Sequence, residues 1–108
     1  MNKVIISGNL GKEPELRDAG GTPVANFSVA VKGYKDETEW VNVVAWDKTA
    51  SNCKKFLDKG SKVLVEGRLQ TRSYEKDGVT RYMTEVIANQ VEFMDKPKQQ
   101  SVPGGVPF

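Results

Sequence analysis

Alternation of apolar and polar residues runs through most of this 108-residue chain, and one stretch interrupts it with helical spacing. Alternate side chains of an extended strand share a face, so this pattern commits a chain to half-buried β-strands. The segment "VANFSVAVK" (24–32) sets Ala25, Phe27, Val29 and Val31 against Asn26, Ser28 and Lys32, with Ala30 neutral. "NKVIISGNL" (2–10) is rich in β-branched residues, and Gly8 within it marks a bend, a bulge or a close backbone approach. "EWVNVVAW" (39–46) and "KVLVEGRLQTRSY" (62–74) alternate as well, the latter with Val63, Val65, Gly67 and Leu69 on one side. "EKDG" (75–78) carries the Asp-Gly signal of a hairpin, and "VTRYMTEVIANQVEFM" (79–94) is the return strand.

The interruption is "DKTASNCKKFLDKG" (47–60), where Ala50, Cys53, Phe56 and Leu57 fall on one helical face. Asp47 or Thr49 is placed to cap its start, and Gly60 suits a left-handed stop. "GKEPELRDAGGTP" (11–23) reads as turn and "GYKDET" (33–38) as a charged connection. Three strands, a short helix and a two-strand hairpin are the plan of an all-β, five-stranded Greek-key barrel, the OB-fold. A plain β-sandwich is the alternative, and the place of the single helix favours the barrel. Residues 1–94 would form this domain. "DKPKQQSVPGGVPF" (95–108), with three prolines, two glycines and little to bury, is expected to be a flexible tail.

A chain of this length makes one domain with a modest core. Its formal charge of +2 and pI of about 8.7 are too mild to diagnose a polyanionic partner. The zero count for histidine says more. With Cys53 as the sole cysteine, neither a Cys/His zinc site nor an internal disulfide can be assembled within the chain. Histidine-assisted nucleophiles are excluded too, and the carboxylates form no evident converging pair. No metal or cofactor is therefore expected, and a carboxylate enzyme is a weak reading. Cys53, on the apolar helical face, reads as a small buried hydrophobe. No apolar run reaches spanning length, so neither a signal peptide nor a membrane helix is expected, and a cytoplasmic location is.

Both tryptophans, Trp40 and Trp46, lie on one strand at the same parity, together with Asn42 and Val44. The opposite parity, Val41, Val43 and Ala45, already supplies an ordinary core face, which leaves the indoles for the polar side; the alternative is that they belong to the core. About 20 Å apart along a strand, they would serve an extended ligand better than one small pocket. Tyr74 projects on its strand with Arg68 and Arg72, and Tyr34 lies between Lys32 and Lys35. Aromatic platforms interleaved with cations suit single-stranded nucleic acid, whose flat bases stack while its phosphates meet Lys and Arg. Lys3 and Lys48 adjoin this track. Lys54, Lys55 and Lys59 read as a solvated helix surface. A protein-binding OB adaptor, with DNA secondary, is the competing interaction-class reading.

"NKVIISGNLGKEPELR", "TEWVNVVAW", "FLDKGSKVLVEGRLQTRSY" and "YMTEVIANQVEFM" resemble the bacterial-type single-stranded DNA-binding proteins over about residues 2–94. The resemblance implies an OB-fold that assembles as a homotetramer and binds single-stranded DNA in replication, recombination and repair. It implies base stacking on Tyr34, Trp40, Trp46 and Tyr74, and phosphate contacts from Lys3, Arg17, Lys48, Lys59 and Arg72, with Arg68 added from the strand reading above. Members of that family commonly end in an acidic tip finishing in Pro-Phe. This chain keeps "VPF" but has no acidic residue after Asp95. Pro107 and Phe108 are thus the partner-binding candidates for replication and recombination proteins, with weak electrostatic support. A tail this short would suit a copy carried by a phage or mobile element in its host's cytoplasm, and a bacterial chromosomal copy would sit on the nucleoid.

Overall fold

A computed structural model describes residues 1–94, so the expected tail and its Pro107–Phe108 tip lie outside the described residues. The elements are β1 (Val4–Leu10), β2 (Glu15–Ala19), β3 (Thr22–Lys32), a 3-10 turn (Tyr34–Asp36), β4 (Thr38–Trp46), α1 (Asp47–Phe56), β5 (Lys62–Lys76) and β6 (Val79–Phe93). They form one sheet in the order β1-β5-β6-β4-β3-β2, and an additional β1–β3 pairing closes it. Closure runs through five strands, as the alternation predicts. The parallel contact is between β4 and β6, at Val43–Val86 and Val44–Ile87. One short helix stands between β4 and β5, so the fold is the all-β OB-type barrel.

The inward parity of each strand meets in one cluster: Leu10 from β1, Ala25, Phe27 and Val29 from β3, Val43 and Ala45 from β4, Val63 and Val65 from β5, and Val86 from β6. Helix α1 adds Ala50 and Cys53, and Leu57 follows directly behind it. Phe56 is half-buried against Phe93, with ring centroids 5.9 Å apart. At the hairpin, Asp77 and Gly78 both take left-handed φ values of 55° and 77°, the two-residue turn whose twist matches its flanking strands.

Closure depends on β1 serving two neighbours. Ile6 and Gly8 pair with Val65 and Val63 of β5, while Asn9 and Leu10 pair with Ala30 and Val29 of β3. A Cβ at Gly8 would collide with the Ala30 carbonyl oxygen. The glycine expected to mark a close backbone approach therefore sits at the seam of the barrel.

Three local readings are corrected. The turn-rich segment 11–23 contains β2, which shares an edge of β3 with β1. Four of its five residues are exposed, so no burial pattern announces it. Neither Asp47 nor Thr49 caps α1: Trp46 holds the N-cap position without a side-chain bond, and the chain turns through Asp47 at a left-handed φ of 57°. Helix α1 ends at Phe56, with Leu57 already extended, so Gly60 falls in the loop beyond, where its N–H bonds the Leu10 carbonyl at 2.9 Å. Leu69 keeps the parity of the inner face, opposite Val86, but is 49 % exposed because β1 begins opposite Gly67 and does not reach it. Beyond it the β5–β6 hairpin outruns the barrel, and every residue from 71 to 80 is exposed.

Two outcomes follow. Gly8→Ala should lower stability by about 1–3 kcal/mol, because the clash is with backbone that has no slack; an unchanged urea midpoint by circular dichroism would rule out a tight seam. Burial pushes the Cys53 thiol up from 9.0 to about 12. The native state then keeps a proton that the unfolded chain releases, so this contribution is full below pH 9 and lost as pH rises toward 12. Relative to Cys53→Ala, the native chain should lose stability across that window. Its thiol should resist iodoacetamide at pH 9 until urea is added.

Candidate nucleic-acid interface

Cross-strand partners share a face, so the register assembles the outer face row by row. In one row Arg17 of β2 is opposite Val24 of β3, which is opposite Trp46 of β4. In the next, Asn26 is opposite Val44, and Val44 lies beside Ile87 of β6. Across β6 and β5 the same face continues as Ile87–Arg68, Glu85–Gln70, Met83–Arg72 and Arg81–Tyr74. These rows converge on a groove of about 350 Å³ whose cations are Arg17, Arg68 and Arg72 and whose aromatic wall is Trp46. Asn26, Gln70 and Glu85 supply its other polar groups. The floor is partly apolar, through Val44 and Ile87.

Trp40 and Trp46 both lie outside the core, 60 % and 43 % exposed. Trp40 has a defined seat. A Cβ at Gly11 would come within 2.6 Å of its Cζ3 atom, so one part of the ring rests on the glycine. Gly11 is itself fixed, its N–H donating to the Ser28 carbonyl at 3.1 Å. The asparagine between the indoles also has an explanation: Ser28 Oγ donates to Asn42 Oδ1 at 3.1 Å, across a register pair.

Tyr34 is 82 % exposed in the loop that joins β3 to β4. That loop is held shut by the Gly33 N–H to the Glu37 carbonyl, at 2.6 Å, and by Lys32–Asp36, at 3.1 Å. Lys35 lies with its Nζ 5.5 Å from the Tyr34 ring centroid. Tyr74 is 41 % exposed on the overhanging hairpin. Trp46, Arg17, Arg68 and Arg72 are thus gathered in one groove, with Tyr74 farther along the same face of β5. Trp40 and Tyr34 extend the aromatic series along β4 and its loop.

The remaining cations stand apart from the groove lining. Lys3 is paired with Glu66 at 3.3 Å, Lys48 is exposed in the first turn of α1, and Lys59 is exposed in the loop after it. Lys54 bonds the Pro14 carbonyl and pairs with Glu13, tying α1 to the segment before β2. Glu85, Asn26 and Gln70 were not singled out from the sequence as site residues. No local signal marks them, because only the β5–β6 and β3–β4 registers bring them to the groove. Tyr82, 74 % exposed on β6, is paired with Ser73 and so lies on the opposite face from Met83 and Arg81, outside the groove.

The profile of the single-strand binding protein family matches residues 1–94. Single-stranded DNA-binding protein B of Bacillus subtilis is 44 % identical over 110 residues, which cover 94 % of this chain and 97 % of that protein. The single-stranded DNA-binding protein of Clostridium tetani is 42 % identical over 109 residues, covering 94 % of this chain and 75 % of the relative. Single-stranded DNA-binding protein 2 of Listeria monocytogenes is 42 % identical over 112 residues, covering 96 % and 69 %. With a family match across all the described residues and relatives this similar over most of its length, the chain belongs to the single-strand binding protein family.

Proposed function

We propose that the chain is a non-enzymatic protein that binds single-stranded DNA without sequence preference. The observation that carries this reading is the shared outer face: two solvent-exposed indoles on β4 and, beside the second, a groove with three arginines. Bases stack on Trp40 and Trp46, with Tyr74 and Tyr34 extending the track. Stacking tolerates any base because every base has a π-face. Arg17 and Arg68 meet phosphates beside the groove, and Lys48, Lys59 and Lys3 do so farther along the strand. The relatives' names support the ligand class.

On this reading the protein acts in the cytoplasm, shielding single strands during replication, recombination and repair, and it assembles as a homotetramer. Pro107 and Phe108 offer apolar rings to partner enzymes. Oligo-dT should quench the tryptophan emission strongly, with little difference among mixed sequences. Graded oligonucleotide lengths followed by native mass measurement give the stoichiometry. Failure of any single-stranded oligonucleotide to bind would reject the proposal.

Trp40→Ala and Trp46→Ala should each weaken binding by about 1–3 kcal/mol, with circular dichroism unchanged. Unaltered affinity in both would reject the assigned track. Gly11→Ala should push the Trp40 ring from its seat and weaken oligo-dT binding in the same direction as Trp40→Ala. In a Trp46→Phe background, where Trp40 is the sole indole, it should also shift the emission maximum. An unmoved spectrum would show that the ring does not depend on Gly11.

A further inference from the structure

The three arginines of the groove differ in their partners. Arg72 Nε donates to Glu85 Oε1 at 2.9 Å, and its Nη2 reaches Met83 Sδ at 3.5 Å. Glu85 is 4 % exposed, whereas the Arg72 side chain is half-exposed. Arg68 donates to a neutral group, Gln70 Oε1, at 3.2 Å. Among the described residues, neither Arg68 nor Arg17 has a carboxylate within ion-pair distance. Arg72 is likewise the one side-chain donor to Glu85 among the described residues. A carboxylate therefore lies in the wall of a basic groove, held there by one of its own cations.

We infer that Arg72 and Glu85 act as a fixed, electrically neutral pair that reserves the groove floor for bases and leaves phosphates to Arg17 and Arg68 at its sides. This rests on the single-stranded DNA reading and assigns Arg72 a different part from the phosphate contact expected from the sequence. A phosphate on the floor would lose hydration there and gain no net attraction from the neutral pair, while an uncharged base meets no such penalty. The half-exposed guanidinium, fixed through its Nε, presents a flat face on which a base can stack beside Trp46. A buried carboxylate deprived of its cation is strongly unfavourable, so Arg72 cannot readily exchange Glu85 for a phosphate.

Counterion release distinguishes the two roles. A cation that neutralises a phosphate adds about 0.7 to the steepness of log K against log salt for single strands, and a cation already offset by a carboxylate adds nothing. Oligo-dT affinity is to be measured over a salt series for the full chain, with circular dichroism as the check on folding. Arg17→Ala and Arg68→Ala should each flatten the slope by about 0.7. Glu85→Gln should steepen it by about the same amount, because Arg72 is then an unbalanced cation. The double variant Arg72→Gln with Glu85→Gln replaces a neutral pair by two amides and should keep the wild-type slope.

A double variant flatter by about 0.7, with Glu85→Gln at the wild-type slope, would make Arg72 an ordinary phosphate contact and overturn the inference. Should Glu85→Gln alone fail to fold, the double variant decides by itself. Failure of the wild-type chain to bind oligo-dT would reject the DNA reading and this inference with it. Wild-type binding with the wrong slopes rejects the inference alone.

Discussion

The seam between β1 and β3 is the constraint on which the rest of the molecule depends. β1 gives most of its length to β5 and its last two residues to β3. A sheet of these strands left open there would expose two long edges and the apolar parity of every strand. Gly8 permits the turn from one partner to the other, since a side chain at that point would occupy the space of the Ala30 carbonyl. With the ends joined, the inward valines of four strands meet, and α1 and Leu57 complete the cluster. The outer face is then no longer free to shift. Arg17 on β2 and Arg68 on β5 are separated in the strand order by β3, β4 and β6, yet they line one groove because each intervening register is fixed.

Much of this architecture was legible as alternation. Where one face of a strand is buried, a one-residue slip would turn every apolar side chain outward, so pattern and register are bound together. That is why Val43 and Ala45 could be set inside and Trp40 and Trp46 outside from their parity alone. The same logic fails where nothing is buried. β2 has no apolar stripe because it lies flat on the edge of β3, and its pairing is with backbone rather than core. Leu69 has the parity of a core residue but stands just past the reach of β1, a matter of strand length that spacing does not encode. The start of α1 defied capping rules because the chain enters it through a left-handed Asp47 directly behind the last indole.

The candidate site divides along the same line. Its aromatics and cations are conspicuous residue types on polar faces, so single-strand patterning finds them. Its acid is not. Glu85 reads as one more polar residue in "YMTEVIANQVEFM" until the β5–β6 register carries Arg72 to its vicinity and the barrel covers it. A basic surface with a buried carboxylate is a different object from a uniformly basic one. Uniform charge attracts any polyanion over its whole area, whereas a built-in anion shapes where along the surface negative charge can settle. Asn26 and Gln70 contribute in a similar way, as neutral polar groups where further lysines would have raised non-specific attraction.

The partition of tryptophan has an optical consequence. Neither indole belongs to the interior cluster, so each chromophore keeps a wet face while the protein is folded and only its seat on the surface is lost on melting. Ultraviolet emission from this chain consequently reports less on the interior than on whatever lies against its outer wall.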